Sequence, residues 1–84
     1  MPNAAQAPAY REFLARLRAA RVRVGLTQAE VARLLAKPQS YVSKCESGER
    51  RVDVVELVAF AKAYQLPIEF FVPRKPRKRL DRRR

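Results

Sequence analysis

The residues best suited to do chemistry lie between positions 27 and 48 of this 84-residue chain. Amide, hydroxyl and ammonium groups follow one another there, on Gln39, Ser40, Ser43 and Lys44, and only one of these groups is charged. The whole chain has a net charge of +11, but positive charge alone binds phosphates without distinguishing one base pair from another. Because uncharged polar groups can hydrogen-bond to base edges, this stretch predicts sequence-specific contact with DNA.

Catalysis is a much weaker interpretation of the same stretch. Ser40, Tyr41, Ser43 and Cys45 are candidate nucleophiles, but the chain contains no histidine that could activate them. The sequence has no acidic cluster that would hold a metal ion. We therefore predict a protein that is not an enzyme and that uses no cofactor and no metal. A single cysteine excludes an internal disulfide, and we expect Cys45 to pack in the core, with redox sensing as the alternative.

Helix signals surround this polar stretch on both sides. Apolar residues at helical spacing predict a first helix over residues 9–24, which Gly25 ends. Thr27 and Glu30 have the spacing of a capping box and begin a second helix. Pro38 cannot continue that helix but suits the start of a third, which carries the polar groups.

Two further helices follow in the prediction. Asp53 and Glu56 repeat the capping-box spacing and begin a fourth helix, and residues 66–72 predict a short fifth one. Of Phe70 and Phe71, we expect one to lie in the core and the other to contact a second copy of the chain. The residues predicted to face the core are Tyr10, Phe13, Leu14, Leu17, Ala20, Val24, Val31, Leu34, Leu35, Val42, Cys45, Val54, Val55, Leu57, Val58, Ala61 and Tyr64.

The composition predicts one small all-α domain. Hydrophobic residues make up 48% of the chain, which argues against global disorder, and hairpin turns and alternating strand patterns are missing. No apolar run approaches the roughly 18 residues that a membrane span needs. The N-terminus also lacks the apolar segment of a secretory signal. We expect a soluble cytoplasmic protein that does not bind membranes.

Charge is concentrated at the C-terminus. Residues 74–84 contain eight Lys and Arg against one Asp, a net of +7, whereas residues 1–73 contain eleven against seven acidic residues, a net of +4. We predict a flexible N-terminal segment over 1–8, a folded DNA-binding domain over 9–73 and a disordered basic tail over 74–84. The tail could bind DNA nonspecifically, contact RNA or an acidic protein, or act as a solubilising end.

The chain from Leu17 to Phe71 resembles the Xre, or lambda-repressor-like, family of helix-turn-helix domains. The residues that carry the resemblance are Leu-Thr-Gln at 26–28, Ala32, Val42 and Glu-Ser-Gly at 46–48, all in register. The resemblance implies a compact five-helix fold with the helix-turn-helix at helices two and three. It also implies a bacterial or phage-encoded regulator of transcription that binds double-stranded DNA at the nucleoid, as a homodimer and most often as a repressor.

The resemblance assigns roles to individual residues. It implies that Gln39, Ser40 and Lys44 contact base edges, where glutamine can pair with adenine and lysine with guanine. It implies a buried ion pair between Arg21 and Glu46. The residues implied to contact the DNA backbone are Thr27, Gln28, Tyr41, Ser43, Arg50 and Arg51; of these, Gln28 could also brace Gln39, and Tyr41 could instead pack on the preceding turn.

Two positions depart from the family pattern. Ala36 and Gln65 stand where relatives usually have glycine. A left-handed residue other than glycine costs roughly 1–2 kcal/mol, so we expect Ala36 to adopt a different turn.

A second hypothesis comes from another functional class. The helical surface could serve an adaptor or an antitoxin-type protein that binds a toxin or another regulatory protein, with the basic tail giving nonspecific affinity for nucleic acid. The sequence alone does not separate phage-repressor, antitoxin and restriction-controller roles.

Overall fold

Four α-helices and one short 3-10 helix make up residues 7–73, which are the residues that the computed structural model describes. The elements are α1 (Pro8–Arg23), α2 (Gln28–Leu35), α3 (Gln39–Ser47), α4 (Val54–Tyr64) and the 3-10 helix Ile68–Phe70. This part of the chain contains no strand, so the all-α prediction is confirmed for it. Residues 1–6 of the predicted flexible segment lie outside the described residues. The whole predicted basic tail, 74–84, lies outside them as well.

The prediction of a fifth α-helix is wrong. Residues 68–70 form a single 3-10 turn, in which the Phe70 N–H donates to the Pro67 carbonyl at 3.0 Å and the Phe71 N–H donates to that of Ile68 at 3.0 Å. Pro67 and Pro73 bracket this segment. So few residues between two prolines leave no room for a series of i to i−4 bonds.

Capping boxes begin α2 and α4, as predicted. The Glu30 N–H donates to Thr27 Oγ1 at 3.1 Å, and the Thr27 N–H donates to Glu30 Oε1 at 2.8 Å. Asp53 and Glu56 make the same two bonds, at 2.7 and 2.9 Å. Each cap satisfies two amides that the helix itself leaves without partners, a stabilisation of about 1 kcal/mol.

Left-handed residues end the helices, and the expectation that Ala36 avoids this conformation is wrong. Ala36 has φ 57° and ψ 45°, and Gln65 has φ 57° and ψ 42°. The residue after each one donates back to the helix, Lys37 to the Ala32 carbonyl at 2.9 Å and Leu66 to the Ala61 carbonyl at 3.1 Å. These bonds satisfy carbonyls at the helix end and offset the steric cost of a Cβ there.

The core combines residues of all four helices with Phe71. Ala32, on the face of α2 that packs against α3, is buried, and an aromatic series runs from Phe60 through Tyr64 to Phe71 with ring centroids 6.1 and 6.3 Å apart. Phe71 is fully buried and Phe70 half-buried. The buried residues are Phe13, Leu17, Ala20, Val31, Ala32, Val42, Cys45, Phe60, Ala61, Tyr64 and Phe71.

Several core predictions are wrong. The apolar residues predicted to be buried but found exposed are Val24, Leu34, Val54, Val55 and Val58. In α4 the inner face is formed by Leu57, Ala61 and Tyr64, as predicted, together with Phe60, which was not predicted. Because α4 is apolar on both sides, hydrophobic periodicity did not distinguish its inner face from its outer one. None of the helices in residues 7–73 has the length and apolarity to cross a membrane.

Candidate nucleic-acid interface

The exposed side of α3 is entirely polar. We call it the α3 polar face; its residues are Gln39, Ser40, Ser43, Lys44 and Ser47, which are all exposed and follow helical spacing. Val42 and Cys45, on the opposite side, are fully buried and hold the helix against the core. Gln39, Ser40 and Lys44, the residues predicted to contact bases, therefore lie together on one surface.

The N-terminus of α3 differs from those of α2 and α4. Pro38 is its N-cap residue and gives no side-chain hydrogen bond, whereas α2 and α4 are each capped by a carboxylate-containing box. Amides at an uncapped helix start have no partner within the helix and lie at the positive end of its dipole. Gln39 and Ser40 occupy this end of α3.

A nearly buried ion pair ties α3 to α1. Arg21 Nε lies 2.6 Å from Glu46 Oε2, and the two side chains are only 14% and 5% exposed. Arg21 also donates to the Leu26 carbonyl at 3.0 Å. The hydrogen bond to Glu46 raises the pKa of Arg21 above its ordinary value, so the guanidinium stays charged.

The ion pair continues into a chain of side-chain amides that reaches the α3 polar face. Gln28 Nε2 donates to Glu46 Oε1 at 3.1 Å, and Gln39 Nε2 lies 3.5 Å from Gln28 Oε1. A carboxylate can only accept, so Gln28 must turn its nitrogen toward Glu46 and its oxygen toward Gln39. Gln39 is thus left with one N–H donor and its oxygen acceptor, the pair that the N7 and N6 groups of adenine require.

Tyr41 is held by ring contacts beside this face. Its ring stacks with that of Phe60 at a centroid distance of 6.3 Å and an interplanar angle of 8°. The Lys37 ammonium and the Arg50 guanidinium lie 5.0 and 4.8 Å from its centroid. Burial raises the pKa of Tyr41 to about 12, so the hydroxyl keeps its proton and can donate.

The two arginines after α3 have different surroundings. Arg50 Nη2 lies 2.9 Å from Glu56 Oε2, and this pairing lowers the pKa of Glu56 below its ordinary value. Arg51 is exposed, and its guanidinium lies 4.9 Å from the ring centroid of Tyr10. Within residues 7–73 no carboxylate pairs with Arg51, so it is the more available of the two for a phosphate.

Two features of this surface escaped the sequence-based prediction. Lys37 lies in the turn between α2 and α3 and adds an exposed cation beside Tyr41; a basic residue next to Pro38 was the available signal. The contact of Glu46 with Gln28 connects the ion pair of Glu46 to the bracing of Gln39 by Gln28, two roles that the sequence predicts separately. Sequence spacing gives no signal for it, because the residues lie on different helices.

The buried Cys45 lies beneath this surface, next to Tyr41 and Arg50. Its side chain is fully buried, and burial raises the pKa of the thiol. A protonated, inaccessible thiol is a weak nucleophile, so core packing is the role that its position supports.

Comparisons with known proteins agree with this architecture. The family described as "Helix-turn-helix domain" matches residues 12–69. The structure of the restriction-modification controller protein C.AhdI from Aeromonas hydrophila is similar at 33% identity and a TM-score of 0.66, over 71% of this chain and 91% of that one. An XRE-family like protein from Pseudomonas syringae pv. tomato str. DC3000 is similar at 39% identity and a TM-score of 0.63, over 70% and 76%. No curated protein gave a match.

Proposed function

The chain belongs to the Xre-type helix-turn-helix family of DNA-binding transcription regulators, and from this premise we propose that it is a repressor that binds a near-palindromic operator as a homodimer. Two copies of α3 would enter successive major grooves about 34 Å apart, which makes the operator symmetric. Occupancy would then exclude polymerase from the promoter. The likeness to C.AhdI, which extends over 91% of that protein, favours a controller role over an antitoxin role.

The observation that carries the proposal is the amide chain that ends on the α3 polar face. Glu46 orients Gln28, and Gln28 in turn orients Gln39. A side chain that is oriented before binding loses less entropy on meeting its base, and a misoriented amide would present the wrong donor and acceptor. We therefore assign Gln39 to adenine.

The other base and phosphate contacts follow from position. Ser40 and Lys44 share the exposed face with Gln39 and would read neighbouring bases, with the lysine suited to guanine. Contacts to the DNA backbone are proposed for Thr27, Gln28, Tyr41, Ser43, Arg50 and Arg51. Among these, Arg51 is expected to contribute more than Arg50, whose guanidinium is already paired with Glu56.

Selection of bound duplexes from a random pool tests this function. We expect one recovered sequence with two symmetric half-sites, bound at least about 10³-fold more tightly than random duplex. Equal binding to selected and random duplexes would refute sequence reading and would favour the protein-adaptor hypothesis, with a toxin or another regulatory protein as the partner.

The Gln39→Ala variant tests the assignment of the base contact. It should lose about 10- to 100-fold of the preference at one adenine position, since a bidentate pair contributes about 1–3 kcal/mol of discrimination. Salt-dependent binding to random duplex should stay nearly unchanged. Gln65→Ala is the matched control, because it removes the same amide group from an exposed residue at the end of α4. An alanine is tolerated in the left-handed conformation of Gln65, since Ala36 adopts that conformation in this fold.

A further inference from the structure

α4 has two apolar faces, and the fold of one chain buries only one of them. The inner face packs into the core. On the other side Val54, Val55 and Val58 are 75%, 77% and 40% exposed. We call these three residues the valine strip. A helix that is apolar on both sides is normally buried on both sides, so the valine strip lacks the cover that its composition suits.

The valine strip is continuous with a second apolar surface. Val54 precedes Leu57 by three residues, a spacing at which side chains on a helix are neighbours. Leu57 also lines a groove of about 410 Å³ together with Val72 and Pro73, and Val72 is 47% exposed. Monomeric proteins rarely expose a connected apolar patch larger than a few hundred Å², and such patches commonly mark interaction sites.

We propose that the valine strip is the surface on which a second copy of this chain packs, with the two α4 helices antiparallel about a two-fold axis near Val58. The inference rests on the proposed function, which requires two copies on one operator. A two-fold interface places the same patch on both sides and must be self-complementary. An uncharged strip meets this condition, whereas the surface around α3, with Lys37, Lys44 and Arg51, would repel its own copy.

The charges at the ends of α4 fit the antiparallel arrangement. Asp53 is exposed at the N-terminal end and Lys62 is exposed in the last turn. When two α4 helices cross near their centres in opposite directions, Lys62 of one copy lies beside Asp53 of the other. A parallel arrangement would instead bring like charges together at both ends. The strip itself offers no hydrogen-bond donor to phosphates, so DNA is a poor occupant.

The size of the patch predicts a reversible dimer. Stable protein interfaces bury about 800 Å² on each partner, which is more than three valines on one short helix can supply even with the adjoining groove. We therefore expect dimerisation to depend on concentration and to be driven by binding to the operator. Sedimentation equilibrium from about 1 μM to about 1 mM measures it on the full-length chain.

The variant Val55→Glu tests the surface directly. It should raise the dimer dissociation constant about 100-fold or more, because each copy would have to bury a carboxylate in an apolar contact. Val22→Glu is the matched control, since Val22 is 62% exposed on α1, away from the strip. It should leave the dissociation constant unchanged. A wild-type chain that stays monomeric throughout, or equal effects of the two variants, would overturn the proposal.

Crosslinking tests the arrangement without weakening the interface. In Val58→Cys, mild oxidation should join two copies through the new thiol, because Cys45 is fully buried and does not compete. Val22→Cys should give no crosslinked dimer under the same conditions. A crosslinking yield for Val58→Cys no higher than that of Val22→Cys would overturn the antiparallel contact.

DNA binding separates this inference from the function on which it rests. A duplex with a single half-site should bind Val55→Glu as well as wild type, while the two-site operator should lose its cooperative gain. If wild type dimerises through the strip but shows no sequence preference, the proposed function fails and the surface stands. If wild type prefers one DNA sequence but Val55→Glu binds the full operator like wild type, the valine strip is not the dimer surface, while the proposed function stands.

Discussion

Glu46 has two separate effects at the scale of single residues. With Arg21 it forms a nearly buried ion pair between α1 and α3. With Gln28 it fixes the direction of an amide that faces Gln39. One carboxylate therefore couples the stability of the fold to the donor pattern on the α3 polar face. An apolar residue of similar volume could replace the ion pair but not the orientation of Gln28.

The Glu46→Gln variant tests the energetic part of this coupling. It should lower the free energy of unfolding by about 2–3 kcal/mol, because it leaves the Arg21 charge nearly buried beside a neutral amide. Urea denaturation at neutral pH measures the loss. Glu12→Gln is the control, since its pair with Arg16 is 42% and 31% exposed and should contribute less than about 1 kcal/mol. Equal losses in the two variants would contradict this account.

Residue roles that depend on local spacing could be predicted from the sequence, and roles that depend on contacts between helices could not. Thr27 with Glu30 follows from a three-residue interval, and the capping box forms. The bond from Gln28 to Glu46 spans eighteen positions and two helices. It requires the angle at which α2 packs against α3, and no local pattern encodes that angle.

At the scale of elements, the turn in the helix-turn-helix carries backbone strain. Ala36 and Gln65 both adopt the left-handed conformation at helix ends without being glycine. At each end, the left-handed residue and the residue after it each donate one backbone hydrogen bond back to the helix. The chain therefore forms a left-handed turn at Ala36 without the glycine that relatives usually have there.

Replacing the strained residue should stabilise the fold. We expect Ala36→Gly to raise the free energy of unfolding by about 0.5–1 kcal/mol, since relief of a cost of about 1–2 kcal/mol exceeds the added entropy of the unfolded glycine. Ala19→Gly is the control, because Ala19 is exposed within α1, where the same change should cost about 1 kcal/mol. Thermal denaturation of both variants measures the difference, and a loss of stability in Ala36→Gly would contradict the strain argument.

Helix starts proved easier to predict than helix faces. Two capping boxes located the starts of α2 and α4, but the valines of α4 were assigned to the core. Hydrophobic periodicity assumes one apolar face, and α4 has two. The residues that hydrophobic periodicity assigned wrongly are those of the valine strip, which we propose to be covered by a second copy of the chain. An apolar surface shared between two chains is expected to differ in this way from an ordinary solvent-exposed face.

At the scale of the whole molecule, charge is divided between a domain and a tail. Residues 7–73 contain eleven basic and seven acidic residues, and three of the arginines pair with carboxylates at Glu12, Glu46 and Glu56. Residues 74–84 contain eight basic residues against one acidic residue. Three of the domain's eleven basic residues are thus committed to ion pairs within the fold. The affinity that depends on salt should come mainly from the tail.

Deletion of residues 74–84 tests this division of labour. The slope of log K against log salt changes by about 0.9 for each phosphate neutralised, so losing eight basic residues should flatten it by several units. The ratio of affinities for selected and random duplex should hardly change, because phosphate contacts carry no sequence information. A tail of equal length with glutamine at every basic position is the control for chain length and should behave like the deletion. If both variants keep the wild-type slope, the charge that binds DNA lies on the domain, and Lys37 and Arg51 beside α3 become the residues to test.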